Sequence, residues 1–113
     1  MNVKQIVKQA VKQAIEWLKN GTEEYASDAA FEAAEWAWNK LGMPYGRIDR
    51  WPKVPDPKVL VKIAKILSAL EEWIPDDEGL WAGLHPYAAL GSMAFFAIEN
   101  AIIDELYKRG YED

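Results

Sequence analysis

Glu99 is the residue whose type and position most suggest chemistry. On a helical wheel Ala88, Phe95, Ile102 and Leu106 form an apolar arc, and Glu99 falls inside it. A carboxyl group drawn into an apolar setting has a raised pKa, as a general acid or base near neutral pH requires. The same position also suits a structural carboxylate, bonded to a Trp or Tyr or paired with a cation. A second carboxylate set is Glu24, Asp28, Glu32 and Glu35, which share one stripe when 22–41 is read as a helix. A third set, Tyr45, Arg47, Arg50 and Trp51, lies on the connection 42–56. Trp, Tyr and Arg are the side chains most enriched at binding hot spots. These four are therefore candidates to grip a partner. In the competing reading Trp51 folds back as a lid on the core and the arginines pair with the acids of the preceding helix.

Other chemistries are closed off. There is no cysteine, so disulfides and thiolate metal sites are excluded, and the one histidine, His85, rules out multi-His zinc or haem centres. Ser27, Ser68 and Ser92 lie inside helical patterns, with no nucleophile-elbow motif around any of them. No glycine-rich phosphate cradle is present, and no cofactor is expected. A hard metal ion needs oxygen ligands from more than one element, which Glu32, Glu35 and Glu99 would supply if their helices are adjacent. Here Glu32-Ala33-Ala34-Glu35 resembles the first magnesium-binding element of the all-α nucleotide pyrophosphohydrolases. In that family a Glu-x-x-Glu pair on one helix and a Glu-x-x-Asp pair on another hold the metal. The second pair departs from the pattern: three residues beyond Glu99 stands Ile102, and Asp104 falls on the opposite face.

The elements that must position these residues are helices. Residues 3–19 place Val3, Val7, Ala10, Val11, Ala14 and Leu18 on one arc, with a repeated Lys-Gln at 4–5, 8–9 and 12–13 on the polar flanks. Asn20-Gly21 stops this helix and Thr22 is a candidate cap for the next, 22–41, whose alanines cover the face opposite the acids. Asp56-Pro57 predicts a third helix, with an apolar face from Val59 to Ile74 and a stop at Pro75. A turn or short helix follows at 77–84, and His85-Pro86 opens a last helix that runs to about Arg109 before Gly110. Its first half is apolar nearly all round, as in a central helix. The expected fold is all-α, one domain over 1–113: four main helices and one short one, the first two forming an antiparallel hairpin. The connection 42–56 is long for a compact domain, and such loops tend to be functional or disordered. Tyr45, Ile48, Trp51 and Val54 argue that this one packs.

The net charge of -5 is unevenly spread. Residues 1–20 carry Lys4, Lys8, Lys12 and Lys19 against Glu16, whereas 21–41 carry five acids against Lys40. No overall basic footprint points to nucleic acid, and a protein partner with a basic surface is expected instead. The first residues are charged and amphipathic, unlike a signal peptide. The longest uncharged apolar run, 86–98, is shorter than the roughly 20 residues that span a bilayer. A soluble, cytoplasmic protein without membrane contact is expected. The leading functional expectation is a non-catalytic protein-binding domain, analogous in size and charge to small acidic inhibitors and immunity-type proteins. The alternative is an enzyme or small-molecule binder with Glu99 in a pocket walled by Trp36 or Trp38, extending to a metal-dependent hydrolase if Glu32 and Glu35 take part.

Overall fold

The computed structural model describes residues 2–46, 51–54 and 56–113, and among them it contains helices and no strand. The fold is all-α, with four long helices and one short one. Helix α1 (Val3–Asn20) begins where Asn2 Oδ1 accepts the Lys4 N–H at 3.0 Å. It ends at Gly21, whose φ of 83° is a left-handed conformation that a Cβ would strain. Helix α2 spans Ala26–Lys40. Helix α3 (Pro57–Ala69) is capped by Asp56, which accepts the Lys58 N–H at 2.9 Å, with proline at the first helical position. A 3-10 turn, Glu71–Trp73, and a short helix α4 (Glu78–Trp81) lead to α5 (Pro86–Lys108).

Helix α5 is the axis of the molecule. It touches α1, α2, α3 and the 3-10 turn, and Ile98, Ile102 and Leu106 on it are fully buried. Among the described residues it is also the one helix long and apolar enough to cross a bilayer, but 56% of its most apolar window is buried within the protein. Its composition is that of a core helix whose neighbours cover it. Helices α1 and α2 pack against each other as a hairpin. The face α2 turns inward is Ala26, Ala29, Ala30, Ala33, Ala34 and Ala37, all with no exposed surface. Side chains this short let backbones approach closely, so a larger residue there overpacks the interface at about 1–3 kcal/mol. Helix α3 packs on α5 and α1, an arrangement the long connection after α2 permits.

Two boundaries differ from the sequence expectation. Thr22 does not cap α2: its N–H and hydroxyl both bond to Asn20 Oδ1, which holds it in the turn. The helix starts four residues later, and its first N–H groups are met from far along the chain. Asp113 Oδ1 accepts from Ser27 N at 2.7 Å and the Glu112 carbonyl from Ala26 N at 3.3 Å. The bond from the Ser27 N–H is the chief reason the Asp113 carboxyl is held below the ordinary aspartate range. Helix α3 stops at Ala69, so Ile74 follows the 3-10 turn instead of continuing the helical face.

Candidate functional site

The connection between α2 and α3 is sewn to the body where it is described. Trp38 Nε1 donates to the Tyr45 carbonyl at 2.6 Å, and Lys62 Nζ donates to the Gly42 carbonyl at 2.9 Å. Near the far end, the Asp56 N–H donates to Tyr87 Oη at 3.4 Å. His85 joins the loop to α5. Its Nδ1 accepts the Ala88 N–H at 3.2 Å, capping the helix, and this leaves Nε2–H to donate to the Trp51 carbonyl at 3.1 Å.

Trp51 sits inside this frame and is only 6% exposed. Its ring lies edge-on to Trp38 and Tyr87 at centroid distances of 6.2 and 5.2 Å, with Tyr45 at 5.2 Å. The other side of the ring fills the space above Gly91, where an added Cβ would overlap three indole atoms. At Trp51 the loop is therefore a lid on the core, and Tyr45 is half-buried beneath it. Burial presses the Tyr87 hydroxyl pKa upward, against the opposing pull of its backbone bond to Asp56. Val54, expected to pack, is 79% exposed. Arg47 and Arg50 lie outside the described residues.

Glu99 is partly buried, with Oε2 shielded from solvent. Of the two walls expected for it, Trp38 is core and packs on Phe95 with ring centroids 5.5 Å apart, and Trp36 is half-buried. Glu99 is not in the lining of any of four surface cavities found among the described residues. Nor do three His, Asp or Glu side chains among those residues come together as a metal site, so Glu99 does not join Glu32 and Glu35.

The acidic stripe is the part of the predicted site left open to a partner. Glu24, Asp28, Glu32 and Glu35 are all exposed. Glu24 stands in the turn before α2, and the other three occupy one face of the helix at four- and three-residue spacing. No ion pair among the described residues involves any of the four; the two present join Lys108 to Asp104 and Arg109 to Glu105. The nearby Lys40 ammonium is over the Trp36 ring at 5.5 Å. Like charges at i and i+4, as at Asp28 and Glu32, cost a helix about 0.2–0.5 kcal/mol per pair.

Sequence reasoning did not anticipate a groove between α1, α5 and the 3-10 turn, lined by residues from Lys4 to Arg109. Its signal was the four-residue spacing of Lys4, Lys8 and Lys12, which a single-helix reading assigns to a solvated face. Compared with family models, curated proteins and solved structures, the chain matches none.

Proposed function

We propose that the protein is a non-catalytic interaction domain that offers the acidic face of α2, with Glu24 beside it, to a protein with a basic surface. The observation that carries this reading is the exposure of all four carboxylates with no ion-pair partner among the described residues. The helix bearing three of them is fixed on its other side by a wholly buried alanine face. The charges are thus presented on a rigid element, and little ordering entropy is lost on binding. Charge complementarity of this kind raises association rates and selects against wrong partners more than it deepens affinity. A small acidic inhibitor would use such a face. The buried lid at Trp51 supports the same reading indirectly, because it withdraws the loop's tryptophan from contact with a partner.

The experiment is affinity capture on the wild-type protein and on a variant with Glu24→Gln, Asp28→Asn, Glu32→Gln and Glu35→Gln together. The expected result is a set of basic proteins that the wild type retains and the variant does not, with unchanged helical content. Retention should weaken as salt shortens the screening length from about 10 Å at 0.1 M to about 3 Å at 1 M. Equal retention by both proteins overturns the proposal.

A further inference from the structure

On another face, the groove between α1, the 3-10 turn and the second half of α5 encloses about 380 Å³. That is within the roughly 300–1,000 Å³ of small-molecule sites. Its floor is apolar, made by the buried residues Val7, Val11, Leu70 and Ala101. Trp73 forms a wall and is held there twice: its Nε1 donates to Asp104 Oδ2 at 3.3 Å, and Asn100 Nδ2 donates to its carbonyl at 3.0 Å. The rim is cationic. Lys4, Lys8, Lys12 and Arg109 face a single carboxylate, Glu105, which gives the lining a charge of +3 in a chain whose net charge is -5. Glu105 is paired with Arg109 at 3.2 Å, and no ion pair among the described residues involves the three lysines. Those lysines recur every fourth residue along α1, so they form a row of cations along one edge of the groove.

We infer that this groove binds a single-chain anionic amphiphile, with the hydrocarbon tail on the apolar floor and the carboxylate among the lysine ammonium groups. Charge complementarity selects an anion, and the floor selects an attached apolar chain. The size argues against a docked acidic helix. Between Lys4 and Lys12 the groove is about 12 Å long, and a helix about 10 Å across displaces roughly 900 Å³ over that length.

The test uses dodecanoate below its micelle-forming concentration, titrated into the full chain by calorimetry, with dodecanol and dodecyltrimethylammonium as comparators. The expected result is one-to-one binding of dodecanoate, at least tenfold tighter than either comparator. Lys4→Gln, Lys8→Gln and Lys12→Gln together should erase that preference while helical content is unchanged, since all three are exposed. Ala101→Leu, which fills the floor, should block every ligand; if it fails to fold, the exposed lysine variant still decides the matter. Absence of saturable binding, equal affinity for all three amphiphiles, or a preference that survives the lysine changes overturns the inference. So does binding to anionic vesicles without binding of free dodecanoate, which would assign the groove to a membrane surface.

Discussion

Gly91→Ala tests the lid at its tightest point. Position 91 lies inside α5, where alanine is favoured over glycine by about 0.8–1.0 kcal/mol on helix propensity alone. At an open site the substitution would therefore stabilise the protein. Here the new Cβ would come within 2.6 Å of indole Cε2 of Trp51, and two other ring atoms would lie closer still. The ring has nowhere to retreat, because Trp38, Tyr45 and Tyr87 pack around it and His85 holds its carbonyl. Expelling a buried Trp costs about 3–5 kcal/mol, so after the propensity gain the net loss is about 2–4 kcal/mol. With Trp51→Ala already present the clash is gone, and Gly91→Ala should then stabilise by about 1 kcal/mol. The effect changes sign between the two backgrounds, and a double-mutant cycle reads the difference as coupling. Urea unfolding of the four proteins, followed by far-ultraviolet circular dichroism, measures it; Trp51→Leu replaces Trp51→Ala if too little folded protein remains. A Gly91→Ala protein as stable as wild type, or an effect equal in both backgrounds, refutes the packing of Trp51 against α5.

Other predictions concern the caps and the charged face. His85→Ala should cost about 0.5–2 kcal/mol for the lost cap and more for the lost tie to Trp51, while His85→Asp restores only the cap; thermal unfolding of both variants separates the two contributions. Asp113 has a folded pKa below its unfolded value, so its stabilisation is complete above the ordinary aspartate range and is lost as pH falls below it. Asp113→Asn should accordingly flatten the acid limb of the stability-pH curve relative to wild type, and an unchanged slope would show that the carboxylate does not cap α2. Replacing Glu32 with Gln should leave stability unchanged or raise it by a few tenths of a kcal/mol, because it removes like-charge repulsion with Asp28; a loss above 1 kcal/mol in urea unfolding would mean that this carboxylate has a structural partner.

What the sequence revealed was local. Asp56-Pro57, His85-Pro86 and Gly110 mark helix ends by chemistry contained within a few residues, and the structure places the boundaries there. The same holds for the exposed acids of α2, whose opposite face of alanines is unambiguous. The failures were non-local. The start of α2 depends on Asp113, a partner 86 residues away. The sequence left two readings of Trp51, a lid on the core or a grip on a partner; it is a lid because Gly91 leaves a hollow for its ring, a complementarity that composition does not display. The groove needs three elements side by side, and no single helical wheel contains it.

The central claim is that a partner docks on the acidic face of α2. The most direct measurement is a map of amide resonances in the isotope-labelled protein as the captured basic partner is titrated in. The account predicts shifts concentrated between Glu24 and Asn39, weakening as salt is added. Shifts confined to 43–54, or to residues lining the groove beside Trp73, would contradict it.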